Sequence, residues 1–201
     1  MFFSKAVLFP IALLGCASFS RAQLQDDGIK QPNATDLVAA YPDLQNAKEE
    51  VLGHQNNLTR ILSAVFNYTA SQAHNELTET LSDLHNLTTA LAGPPSPFLA
   101  NTGPGKIPTQ DECSSVFVDI INSLVQMNLA IEKLRPVAPS LHTDLQAIAA
   151  ETVAALKAAD AKVVITRKFI ADHVDLEGIF HMHDGFEKIA MYLSEDQVNK
   201  S

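Results

Sequence analysis

The chain has 201 residues, 46% of them hydrophobic, and its 23 acidic against 14 Lys and Arg residues give a formal net charge of −9. That acidic balance excludes the basic footprint a phosphate backbone requires, so nucleic acid is not an expected partner. Two Cys and no Trp exclude a disulfide-stapled scaffold and disfavour a platform that stacks sugars on indole rings.

The N-terminus reads as a signal peptide over residues 1–22. Met1 to Lys5 leads into an apolar run from Ala6 to Phe19, and Ser20-Arg21-Ala22 supplies the small-residue cleavage pattern before Gln23. The run is shorter than the roughly 18 residues a spanning helix needs, and Pro10 interrupts it. Leu13-Leu14-Gly15-Cys16 offers a rival, since it looks like a bacterial lipobox. Against it stand four acceptor sequons, at Asn33, Asn57, Asn67 and Asn86, each with Thr two residues on and none with Pro between. They favour a secreted, N-glycosylated product. Cleavage removes Lys5 and Arg21 and no acid, which takes the net charge to −11 and leaves Cys113 as the single cysteine. No later segment is expected to cross a membrane.

Residues 23–34, polar and holding Gly28 and Pro32, form a flexible N-terminal segment, and residues 35–201 a single helical-bundle domain. After Pro42, the residues Leu44, Ala47, Val51, Leu58, Ile61, Leu62 and Val65 recur at three-and-four spacing, predicting a helix to about Phe66 with Asn67 opposite the stripe and Asn57 at its flank. Ala73, Leu77, Leu81, Leu84 and Leu91 mark a second helix with Asn86 on its far side, ended by Gly93 in a left-handed cap and by Pro94. A Pro/Gly-rich linker runs to Pro108. Thr109 and Glu112 then form a capping box for a third helix with an unusually broad apolar face, from Val116 and Phe117 to Leu134. Past Pro136 and Pro139, a fourth, Ala-rich helix carries Leu141, Leu145, Ile148, Thr152, Leu156, Ala159, Val163 and Ile170. It is expected to run about 33 residues, roughly 50 Å. Gly178 and Gly185 loosen the chain beyond it, and Phe186, Ile189, Ala190 and Leu193 predict a short terminal helix. No run alternates with strand period, so the fold class is all-α, an antiparallel bundle of four to five helices.

Catalytic chemistry finds little here. There is no His-Glu-x-x-His, Gly-x-Ser-x-Gly or Gly-rich phosphate loop. His173, Asp175, His181, His183 and Asp184 have a metal-ligand flavour, but two His residues two apart diverge on a helix, and a turn with surface histidines explains them without a metal. Cys113 lies on the apolar face of the third helix, beside Asp111 and Glu112, and reads as a small buried hydrophobe. The expectation is a protein that is not an enzyme and needs no metal or cofactor. The broad faces are bundle core in the plain reading. In the sharper one, Phe117, Ile120, Ile121, Leu124, Leu145, Ile148 and Leu156 part to line a cavity for an acyl chain, since ligand sites often lie between helices of a bundle.

Taken together, the signal peptide, the paired long helices, the Ala-rich stretch from Leu145 to Ala161 and segments such as Val118 to Val125 resemble the fungal hydrophobic surface-binding protein A family of secreted and cell-wall mannoproteins. The resemblance is one of pattern over about Leu37 to Val174, and Cys113, the Pro-rich loop and the His-rich tail depart from it. It implies a non-catalytic protein that adsorbs to hydrophobic surfaces, helps recruit a secreted lytic enzyme, or encloses a fatty acid between its helices. The alternatives are a structural cell-wall glycoprotein without a small ligand, and a helical-bundle enzyme inhibitor whose usual paired cysteines are missing here.

Overall fold

A computed structural model describes residues 34–63, 70–93, 107–134, 138–163, 165 and 167–198, all within a compact unit spanning Gln31–Ser201. The signal peptide, the 23–33 segment, the sequons at Asn33 and Asn67 and the linker from 94 to 106 lie outside the described residues. Seven helices and no strand occur among the described residues: α1 (Ala34–Ser63), α2 (Ala70–Ala92), α3 (Gln110–Glu132), α4 (Ser140–Val163), α5 (Arg167–His173), α6 (Leu176–Phe180) and α7 (Glu187–Val198). The fold is all-α, with four long helices forming the bundle and three short ones added at its C-terminal side.

α1 begins before Pro42, not after it, and carries the proline in its interior. The ring removes one backbone donor and costs about 3 kcal/mol. Leu37, Ala40 and Leu44 continue the apolar stripe through the break and are buried, and two fully buried leucines alone contribute about 3–6 kcal/mol, so the helix persists with Pro42 on its exposed side.

Ion pairs fix how the helices run. His54 on α1 meets Glu76 and Asp83 on α2, an antiparallel hairpin. Lys48 pairs with Asp119 at 2.7 Å, placing α1 beside α3. Near the start of α2, His74 reaches Asp144 near the start of α4, at 2.7 Å, while Lys162 near the end of α4 donates to the carbonyls of Ala90 and Gly93 at the end of α2. The two therefore run parallel. α2 and α3 occupy opposite corners, which a tight turn could not connect, and the long segment between them meets that need.

Gly93 is not left-handed; positive φ among the described residues is confined to Asp184 and Gly185. Lys162 caps the end of α2 instead, its ammonium taking up two terminal carbonyls and complementing the negative end of the helix dipole. At α3 the capping box is present as expected: Thr109 Oγ1 accepts from the Glu112 amide at 3.1 Å and Glu112 accepts from the Thr109 amide at 2.7 Å.

The fourth helix is shorter than expected. It stops at Val163, about 36 Å in all for its 24 residues at 1.5 Å each. The sequence Val163-Val164-Ile165-Thr166 is β-branched throughout, a poor continuation for a helix, and α5 restarts at Arg167. Ile170 is still buried, now from a separate element. This break lets α5, α6 and α7 turn back over α3 and α4, which touch one another only sparingly, and Ile170, Ile179, Phe186, Ile189 and Leu193 complete the core. Arg167 pairs with Asp160 and lies over the Tyr192 ring, whose hydroxyl donates to Asp160 at 3.1 Å. Burial, then the Asp160 charge, raises the Tyr192 pKa, so the phenol keeps its proton and the α4–α5–α7 junction stays hydrogen-bonded.

By length and composition α3 is long and apolar enough to cross a membrane, which the sequence reading did not expect of any later segment. Some 61% of its most apolar window is buried inside the fold, the pattern of a core helix.

Candidate functional site

The seven residues expected to line a cavity, Phe117, Ile120, Ile121, Leu124, Leu145, Ile148 and Leu156, are all closed into the core at 0–1% exposure, and none lines the hollows beside α3 or between α1 and α2. Concave surface appears on the outward flank of α3 instead. A cleft of about 520 Å³ lies between α3 and residues 175–183. Val125, Leu129, Ile179 and Met182 give it an apolar wall, and Asn122, Gln126, Asn128, Glu132, His181 and His183 ring it with polar groups. It shares Asn122 and Gln126 with a second groove of about 310 Å³ between α1 and α3, walled by Lys48, Leu52, Gln55, Asp119 and Ser123. Leu129 and Leu52, 44% and 42% exposed, are large apolar side chains that the fold leaves uncovered beside these hollows.

The far wall of the cleft is built by tight local structure. Asp175 caps α6, its Oδ1 accepting from the Gly178 amide at 2.9 Å. A Cβ at position 178 would come within 2.2 Å of Asp175 Oδ2, so glycine is what permits this cap. Beyond α6 the chain turns through Asp184 and Gly185, with φ of 63° and 85°, and a non-glycine residue in that region is strained. The strain is held by His142 on α4, whose Nδ1 lies 2.6 Å from Asp184 Oδ2. The Asp184 carboxylate is thus enclosed, at 6% side-chain exposure. His181 and His183 are exposed as expected, and His173 stacks on Phe169 with ring centroids 4.1 Å apart.

Two side chains at this end of the bundle hold buried atoms without a partner among the described residues. Asn128 is 1% exposed, and neither its Oδ1 nor its Nδ2 makes a hydrogen bond; His142 Nε2 is likewise unpaired. The other buried polar groups with known partners bond locally: Thr80, Ser114 and Thr152 each donate to the carbonyl four residues back, at 2.7–2.8 Å.

The opposite seam, between α1 and α2, holds a cluster the sequence reading missed. His54 Nδ1 is 2.9 Å from Glu76 Oε2 and its Nε2 is 2.9 Å from Asp83 Oδ2, with Glu79 at 3.7 Å. His54, Glu76 and Glu79 offer atoms within 4.8 Å of one another, a spacing that could hold a metal ion. Burial lowers the His54 pKa, but the hydrogen bonds to Glu76 and Asp83 and their charges outweigh it, so the net shift is upward. An imidazolium shared by two carboxylates accounts for the cluster without a metal. The Glu50 carboxyl nearby is raised by burial and by the Asp83 charge.

Of the two sequons among the described residues, Asn86 is exposed and borders a shallow hollow with Asp43 and Glu50, whereas Asn57 is half-buried and its amide donates weakly to Glu76 at 3.4 Å. Cys113 is fully buried, and burial together with the Glu112 charge pushes its thiol up to about 11, which suits an inert core residue. No family model, curated protein or solved structure matches this chain.

Proposed function

We propose that this chain is a secreted, N-glycosylated, non-catalytic bundle that takes up a fatty-acid-like amphiphile or another apolar chain, and that it does so in the cleft beside α3 and not between the core faces. The observation that carries the reading is the cleft itself: about 520 Å³, apolar along Val125, Leu129, Ile179 and Met182, and rimmed by polar groups. That volume falls within the roughly 300–1,000 Å³ of small-molecule sites. The shared Asn122 and Gln126 let a long chain leave one groove for the next. A second use is suggested by the exposed Leu52 and Leu129: with the ligand absent, the same flank adsorbs to a hydrophobic surface. The resemblance to fungal surface-binding mannoproteins agrees with both uses and with a place in or near a cell wall, where recruitment of a lytic enzyme is a further role.

Leu129→Asp tests this reading. Leu129 is half-exposed, so the change leaves the fold within about 0.5 kcal/mol, yet it sets a charge against the ligand chain. Native mass spectrometry of the delipidated, deglycosylated protein with a C18 amphiphile should show a one-to-one complex for the wild type and its loss in Leu129→Asp. Equal binding by the two, or none by the wild type, rules out the cleft. A protein that binds nothing and is extracted only with wall material is the structural glycoprotein of the alternative reading.

A further inference from the structure

All three buried side-chain atoms that lack a partner among the described residues belong to Asn128 and His142. One short segment runs past both residues. Met182 and His183 share the cleft wall with Asn128, and the next residue, Asp184, holds His142 Nδ1. Buried polar groups are almost always paired, and the hydroxyls of Thr80, Ser114 and Thr152 show that this interior follows the rule elsewhere. Asn128 lies on the wall of the cleft itself, and an unmet buried amide there is what a site has when its remaining partner arrives from outside.

The chemistry of that partner can be read from what is open. With Nδ1 on the Asp184 carboxylate, His142 lies behind the cleft wall and only its Nε2 is without a partner. Asn128 presents one acceptor and an NH2 donor. Among the described residues the cleft wall adds Glu132 and Asp175 and contains no Lys or Arg. Among these residues a carboxylate head would meet acids and no fixed cation.

We propose that the cleft recognises an uncharged amphiphile whose head both donates and accepts hydrogen bonds, a hydroxyl or a primary amide, with Asn128 as its partner. This rests on the cleft being the apolar-ligand site proposed above and narrows that reading away from free fatty acids. The polar atoms are sealed from bulk water, so the head reaches them as Met182, an unbranched side chain with three rotatable bonds, swings aside.

The experiment uses the delipidated, glycosylated full-length mature chain at pH 7.5 with three probes of equal chain length, oleyl alcohol, oleamide and oleate, each below its aggregation concentration. The alcohol or the amide should bind at least about tenfold more tightly than oleate, a difference of about 1.4 kcal/mol, and whichever of the two is tighter identifies the head. Asn128→Leu should abolish that preference while raising Tm, because an unpaired buried amide gives way to an apolar group of similar volume. Asn128→Met makes the same test should leucine fail to pack. Equal affinity for the three probes overturns the head-group assignment. So does a preference that survives in both variants, or a fall in Tm with the preference intact, which would mean that Asn128 holds a structural water only. Failure of the wild type to bind any probe overturns the ligand site itself.

Discussion

The two flanks of this bundle treat polar groups in opposite ways. Along the α1–α2 seam, polar meets polar: both nitrogens of His54 are taken by carboxylates, Asn57 reaches Glu76, and Asn86 stands in the open. Along the outer side of α3, by contrast, uncovered leucines border a cleft, and on its wall Asn128 is left incomplete. The contrast teaches a division of labour. One flank satisfies its own polar groups; the other leaves a buried amide unmet, which is what the proposed ligand would complete.

The comparison breaks most severely inside α3 itself. Leu124 is fully buried and Leu129, little more than one turn on, is 44% exposed. Leu124→Asp should unfold the protein, since an unpaired buried charge exceeds the total stability of most domains of this size. Leu129→Asp should leave the far-UV circular dichroism melt unchanged within error. If the two variants melt alike, the core and the cleft wall are not distinct surfaces.

A smaller effect is expected at the α1–α2 seam. His54→Gln removes two charge-assisted hydrogen bonds, a loss of about 2 kcal/mol at mildly acidic pH. The sign comes from linkage: His54 is raised above its ordinary 6.5, so its contribution is fully present below that pH and fades as pH rises through the higher folded value. Chemical denaturation at pH 6 and at pH 9 should show wild type and variant converging at the alkaline end. A gap independent of pH would mean that the imidazolium is not what holds the seam.

The smallest effect tests the flank proposed to bear sugar. Asn86→Gln should change stability by no more than about 0.5 kcal/mol while lowering the mass of secreted protein by one glycan, and Asn57, half-buried beside Glu76, should be occupied less fully than Asn86. Site-resolved mass spectrometry reads both, and an unmodified Asn86 would contradict the glycosylated-flank reading.

The helices are legible in the sequence because apolar residues recur at helical spacing, and burial of Ala73, Leu77, Leu84 and Leu91 on α2 obeys that spacing directly. Their ends are less so. The stop at Val163 depends on a β-branched run competing with an apolar stripe that continues to Ile170, and period alone favours the stripe. Pro42 inside α1 is the converse case, where tertiary burial outweighs a local breaker. The cleft is hidden because its walls come from α3 and from a turn some fifty residues later. A signal for its base is present all the same. Asn128 falls four residues after Leu124 and three before Ile131, on the core stripe, and His54 sits likewise between Val51 and Leu58. A polar residue interrupting an apolar stripe marks a place where packing alone cannot satisfy the chain, and both residues lie at clusters of interest.

The most direct test of the central claim is the melting temperature of the delipidated, glycosylated protein with and without a saturating C18 amphiphile. A ligand that fills the cleft binds the folded state alone and should stabilise it by RT ln(1 + [L]/Kd), about 2.7 kcal/mol at a hundredfold excess over Kd. For a domain of this size that is a rise of roughly 5–10 °C. Leu129→Asp should show no rise. An unchanged Tm for the wild type, or an equal rise in the variant, would contradict the account.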